Sequence, residues 1–221
     1  MRLVSVNIGR VRDNPWTGGA DRTGIDKRPV DGPVAVAAPG PKGTGAVGLA
    51  GDRVWDIDHH GGDFQAVYAY SREDYAYWET RLGRSLPDGV FGENLTTSGL
   101  EVSQALVGER WRVGPKVVLQ ATAPRIPCGT FRGWMAEKGW LKTFTAAART
   151  GTYLSVVSAG EIRSGDAITI DYRPDHGVSI GQVFRALMTD RSLLPHILTA
   201  GELPDTLRAK AIDLLHHSAK D

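Results

Sequence analysis

Gly108-Glu109-Arg110-Trp111-Arg112-Val113-Gly114-Pro115-Lys116-Val117-Val118-Leu119 reads as two short strands joined at a Gly-Pro turn. Trp and Val suit a pleated, half-buried backbone, and the proline ends the first run because it has no N–H for a ladder. The pattern continues downstream, where Tyr153-Leu154-Ser155-Val156-Val157 leads through Gly160 and Gly165-Asp166 into Ala167-Ile168-Thr169-Ile170. Upstream, residues 64–70 predict an aromatic strand, and Leu3, Val4, Val6 and Ile8 predict another. Many short strands with regular turn signals predict a mainly β body, a barrel or a sandwich, over residues 1–172.

Helices interrupt this body at two places. Ser71 can cap a helix in which Asp74 sits three residues on, Tyr75, Trp78 and Leu82 share one face, and Gly83 is a natural stop. Residues 131–149 are aromatic and alanine-rich enough for one or two short helices. Ala38-Pro39-Gly40-Pro41-Lys42-Gly43-Thr44-Gly45 predicts an exposed loop. After Arg173-Pro174-Asp175-His176-Gly177 the apolar period turns helical: Ile180, Val183, Phe184 and Leu187, then Leu193, Leu194, Ile197 and Leu198, then Leu207, Ala211, Leu214 and Leu215. Three such short helices over residues 178–221 are marginal alone. Their stripes must pack together, onto the body, or against a second protomer in a homodimer.

The 221 residues carry 26 Lys and Arg against 25 Asp and Glu, a formal net charge of +1. That balance argues against a broad basic face for nucleic acid but leaves room for a few cations around one phosphate. A single cysteine excludes an intramolecular disulfide and a multi-cysteine metal or iron–sulfur site supplied by one chain. No apolar run approaches the ~18 residues of a membrane span, and the first residues lack the apolar core of a signal peptide. The expected address is cytoplasmic, with no membrane and no nucleic acid as partner.

Pro124-Arg125-Ile126-Pro127-Cys128-Gly129-Thr130 is the segment best suited to reactive chemistry. Two prolines and a glycine stiffen it and free Cys128 from regular pairing. Arg125 can stabilise a thiolate, which serves as nucleophile, sulfur carrier or soft metal ligand. The plain alternative is an inert, buried thiol. The run from Gly51 to Gly62 is the densest polar stretch. Its adjacent His59 and His60 point apart in an extended chain and lack a further ligand at zinc spacing. A turn with one imidazole hydrogen-bonded and the other in solvent is the simple reading. Lys27 and Arg28 precede Pro29 and, with Arg53, could supply a phosphate-sized positive pocket; alone they are a solvated pair. Phe91-Gly92-Glu93-Asn94-Leu95 presents Asn94, whose amide both donates and accepts, in what is otherwise an ordinary Asx turn. The glycine motifs of dinucleotide and nucleoside triphosphate sites do not occur, nor does a Gly-x-Ser-x-Gly elbow.

Together these segments resemble the MOSC domain (molybdenum cofactor sulfurase C-terminal domain). Lys27-x-Pro29-Val30-x-Gly32, Gly48-Leu49-x-Gly51-Asp52-Arg53, His59-His60-Gly61-Gly62-x-x-Gln65-Ala66-Val67-Tyr68, Phe91-Gly92-Glu93-Asn94-Leu95 and Pro124-Arg125-x-Pro127-Cys128 occur in the family's order. Gly151-x-Tyr153-Leu154 and Gly160-x-Ile162-x-x-Gly165-Asp166 continue the match. The region from Val183-Phe184-Arg185-Ala186-Leu187 to Leu207-Arg208 looks like the three-helix tail of the bacterial YiiM-like branch. The Ala38–Gly45 loop is longer than the family usually allows.

The resemblance implies a MOSC-type β-barrel with a few short helices, followed by the helical tail. It implies that the barrel binds the molybdenum cofactor, a pterin-dithiolene (molybdopterin) carrying a phosphate. Cys128 matches the family's sulfur ligand to molybdenum, and Lys27 and Arg53 match positions at the cofactor phosphate. His59, His60, Asn94 and Arg125 fall in motifs that line the same cleft. For the YiiM-like branch the implied activity is reduction of N-hydroxylated compounds, including N-hydroxylated purines, with electrons from a separate reductase. A soft thiolate is a ready further ligand for dithiolene-bound molybdenum. Two other readings fit Cys128: a non-catalytic carrier of sulfur or cofactor through a cysteine persulfide, and a hydrolase nucleophile with His59 or His60 as base.

Overall fold

A computed structural model describes residues 1–218, so the last three residues of the expected 178–221 tail lie outside the described residues. The chain opens with β1 (Arg2–Asp13), β2 (Arg22–Pro29) and the short β3 (Val34–Val36). After a long irregular stretch come β4 (Val67–Ser71), α1 (Arg72–Leu82) and β5 (Leu95–Ser98). The Gly114-Pro115 turn joins β6 (Arg110–Val113) to β7 (Val117–Ala123), as the opening stretch predicts. Helices α2 (Gly129–Met135) and α3 (Trp140–Ala147) follow, then β8 (Thr152–Ser158), β9 (Gly160–Ile162) and β10 (Ile168–Tyr172). The tail is α4 (Ile180–Met188), the single turn α5 (Leu194–Ile197) and α6 (Asp205–Ser218).

Eight strands form one mixed sheet in the order β10-β6-β7-β8-β4-β5-β1-β2, and β3 pairs with β9 apart from it. All neighbours are antiparallel except β4 and β5, which run parallel across the α1 connection. The expected closed barrel is corrected here to an open mixed sheet with helices on it. The reason lies in β1. Its first residues pair with β5 along one edge, and β2 takes the opposite edge from Asn7 onward. Only the start of β1 is left to meet the approach to β10, through one isolated bridge, Arg2 to Ala167. There the Leu3 N–H donates to the Asp166 carbonyl (2.9 Å) and the Gly165 N–H to the Leu3 carbonyl (2.8 Å). No ladder develops at this seam.

Local signals explain the helices. The Ser71 hydroxyl accepts from the Asp74 N–H (3.2 Å), and Gly83 closes α1 in the left-handed region at φ 65°. Tyr75 and Trp78 are the fully buried face of α1. The expected strand over residues 64–70 starts only at Val67; residues 63–65 make a 3-10 turn that leaves Phe64 51% exposed.

Two apolar cores result. The larger lies between the sheet and the tail, where Val178, Ile180, Val183 and Leu187 join Trp111, Val113, Leu119 and Leu154. The smaller is aromatic: Tyr68, Tyr70, Tyr75, Trp78, Phe91, Phe131, Trp140 and Phe144 pack under α1, α2 and α3. Stacked and edge-on rings, such as Tyr70 on Phe91 at 4.4 Å, lock it. Among the described residues no helix is long and apolar enough to cross a membrane.

Candidate active site around Cys128

β7 ends at Ala123 because Pro124 and Pro127 cannot continue a ladder. The chain leaves the sheet through Pro124-Arg125-Ile126-Pro127 and reaches Cys128, an extended residue (φ −121°, ψ 175°) at the start of α2. Arg125 is buried beneath this segment. Its Nη1 donates to the Phe91 carbonyl, and its guanidinium lies 4.0 Å from the Phe131 ring centroid and 5.2 Å from that of Tyr68. The aromatic core thus fixes a positive charge below the cysteine.

The Cys128 thiol is lowered to about 6, well below the ordinary thiol range. Partial burial pushes it up, but the hydrogen bond with His60, the charge of Arg125 and the Phe131 N–H outweigh that cost. The two histidines part company, but not as the simple reading has it, because neither is left to solvent alone. His59 is exposed and its Nδ1 meets Asp56 Oδ1 at 2.8 Å, whereas His60 turns to the sulfur. Burial pushes the Tyr68 and Tyr153 phenols up, so both remain neutral.

Cys128 opens onto a cavity of about 640 Å³. The seven residues that the resemblance places at the cofactor, Lys27, Arg53, His59, His60, Asn94, Arg125 and Cys128, all line it, whereas Arg28, expected beside Lys27 in the positive pocket, does not and pairs with Asp26 instead. The segment carrying Arg53 crosses β2 closely. A Cβ on Gly24 would stand 2.4 Å from the Arg53 carbonyl oxygen, so only glycine admits the crossing.

The residues differ in how free they are. Lys27 Nζ is bound by Asp52 at 2.5 and 2.6 Å, with side-chain exposures of only 8% and 6%. Asp52 also accepts from the Gly9 N–H (2.8 Å) and from Asn94 Nδ2 (2.8 Å). Asn94 is further occupied, its Oδ1 accepting from the Tyr68 N–H (3.1 Å). Lys27, Asp52 and Asn94 therefore form a satisfied, charge-compensated floor. Arg53 is exposed, and its recorded hydrogen bond is a 3.4 Å contact to the Asp52 carbonyl.

Sequence reading gives no role to Asp52, Arg22 or Lys210, yet all three line the cavity. Lys210 and Leu207 come from α6, one helical turn apart, so the tail reaches the site. Arg22 and Lys210 have no ion pair among the described residues. The Ala38–Gly45 loop leans on the histidine turn: the Gly40 N–H donates to Asp63 Oδ1 (2.9 Å), and Lys42 Nζ to the His59 carbonyl (2.9 Å).

Residues 56–169 match the model of the MOSC domain family. The chain belongs to that family. Across nearly its whole length this MOSC chain is 29% identical to YflK of Bacillus subtilis, covering 94% of this chain and 91% of that one. It is 28% identical over 208 residues to a protein of Gibberella moniliformis named "Reductase", covering 92% of this chain but only 35% of that protein. Among solved structures, YiiM of Geobacillus stearothermophilus superposes with a TM-score of 0.75 at 25% identity, covering 97% of this chain and 98% of its own. The fold is therefore a YiiM-like MOSC scaffold.

Proposed function

We propose that this chain binds the molybdenum cofactor through the Cys128 thiolate and reduces N-hydroxylated compounds, N-hydroxylated purines among them. The observation that carries the reading is a thiol lowered to about 6 in the wall of a cavity edged by uncompensated arginine. The donor set fits the group. Among the described residues no cluster of three or more ligating side chains exists, so a metal here would bring its other ligands on its own organic carrier. A single soft sulfur suits that division of labour.

When bound, the cofactor would supply two-electron removal of the hydroxyl oxygen; two electrons and two protons convert a hydroxylamine into an amine and water. The chain's own residues hold and orient. Arg53, exposed and unpaired by carboxylate, is assigned to the cofactor phosphate, with Lys27 contributing from its bond to Asp52. Arg125 holds the charge of the sulfur from below, and His60 favours the thiolate from beside it. His59 and Asn94 shape the rim and floor. The electrons are assigned to a separate reductase. The Gibberella protein named "Reductase" supports this, since almost two thirds of it lies beyond the part that matches this chain.

A carrier holding a persulfide on Cys128 is the second reading, favoured by the same easily ionised sulfur. The hydrolase reading gains the His60 contact but lacks a carboxylate behind it, because Asp56 engages His59 instead. Protein purified from a molybdenum-replete host should contain molybdenum and reduce a hydroxylaminopurine with an artificial electron donor. Cys128→Ala should lose both while keeping its melting transition. Metal without turnover would favour the carrier; full turnover by Cys128→Ala would remove the thiolate from the reaction.

A further inference from the structure

The loop between β1 and β2, Asn14-Pro15-Trp16-Thr17-Gly18-Gly19-Ala20-Asp21, takes no part in the function argued above. Its base is closed by the Asn14 N–H donating to the Asp21 carbonyl (2.8 Å). The Asn14 side chain is buried and ties the loop inward: Nδ2 meets Thr17 Oγ1 at 3.0 Å, the Ala20 carbonyl at 3.0 Å and Thr130 Oγ1 at 3.2 Å. Thr130 stands two residues beyond Cys128.

The loop lies across α2. Gly129 and Gly133 are four residues apart and so share one face of that helix. A Cβ on Gly133 would fall 2.0 Å from Trp16 Cγ, and one on Gly129 2.8 Å from Thr17 Cγ2. The indole and the threonine methyl thus fill the space that side chains on this face would take. Trp16 also meets Trp134 edge-on at 6.4 Å. Seven residues with no side-chain cap make a helix that does not hold its place alone. Phe131 and Met135 anchor α2 from below, and the loop presses it from the other side. Asn14, Thr17 and Gly19 line the same cavity as Cys128.

We propose that residues 14–21 are a strap seated on the Gly129–Gly133 face, which positions Cys128 and limits the size of the group that can reach its sulfur. The strap acts on the sulfur side of the cavity. Trp16 and Gly133 are positioning residues, since neither lines the cavity onto which Cys128 opens.

Because Cys128 is the only cysteine, alkylation of the full chain reports on it alone. Protein made without molybdate is treated with iodoacetamide and, separately, with a fluorescein-sized maleimide, at pH about 8.5 where the thiolate is formed. The ratio of the bulky to the small rate should rise about tenfold in Trp16→Ala, with the iodoacetamide rate changing little. Gly133→Ala should raise the ratio similarly by evicting the indole, and the double variant should go no further. An unchanged ratio in folded Trp16→Ala overturns the proposal, as do single effects that multiply in the double variant. Should Gly133→Ala fail to fold, Trp16→Ala decides alone, because it only removes atoms from the contact and adds none to α2. The test involves no molybdenum, so its failure is separate from failure of the cofactor reading.

Discussion

Cys128 ionises easily because a neighbour on each side favours the anion: His60 by hydrogen bond, Arg125 by charge from within the aromatic core. The sign follows directly. Above about 6 the sulfur is thiolate and reactive; as pH falls through that value it takes up a proton and reactivity is lost. Iodoacetamide labelling against pH should therefore show a midpoint near 6, and His60→Ala should move it upward towards the ordinary thiol value. An unshifted midpoint in the variant would remove His60 from the sulfur's environment. Asp52 matters differently. Asp52→Ala strands the buried Lys27 ammonium, and breaking such a pair costs about 3–5 kcal/mol. Urea denaturation should register that loss, and pairing the change with Lys27→Met should recover most of it. The cations of the site were legible in the sequence as cations. Their compensation was not, because the carboxylate that neutralises Lys27 lies 25 residues away and a lone Asp resembles any surface charge.

At the scale of elements, helices announce themselves and sheets do not. Ser71 with Asp74 and Gly83 spells α1 within a dozen residues, and the apolar period from Ile180 spells α4, to which the structure adds a cap at Ser179 and Gln182. In α4 the box is complete: the Ser179 hydroxyl accepts from the Gln182 N–H (3.2 Å), and Gln182 Oε1 accepts from the Ser179 N–H (2.8 Å). Ser179→Ala should destabilise the chain by about 1 kcal/mol in urea. No measurable change would mean that packing of Ile180 and Val183, rather than the cap, fixes where α4 begins. Strand pairing is nonlocal, and turn signals count strands without saying which edges meet. β1 serves three neighbours along its length, β5, β2 and the approach to β10, with a register shift between Leu3 and Ser5. Nothing in the alternation of Leu3, Val4, Val6 and Ile8 predicts that division. The strap on α2 was equally hidden: a tryptophan and a glycine 117 positions apart become one contact only in the fold.

In the whole molecule the cavity lies where separate stretches of chain converge, from the β1–β2 loop through the histidine turn and the Cys128 segment to α6. The aromatic core supports one wall and the larger core carries the tail that supplies another. The place of β4 in the sheet has its own consequence. β4 lies between β5, made soon after it, and β8, made some eighty residues later. While the chain emerges from the ribosome, β4 must therefore wait with one row of backbone donors and acceptors unmatched. An open, apolar strand edge of that kind invites pairing with other nascent chains. Translation speed between residues 72 and 152, and the chaperones on hand during it, should govern how much of this protein reaches the native state.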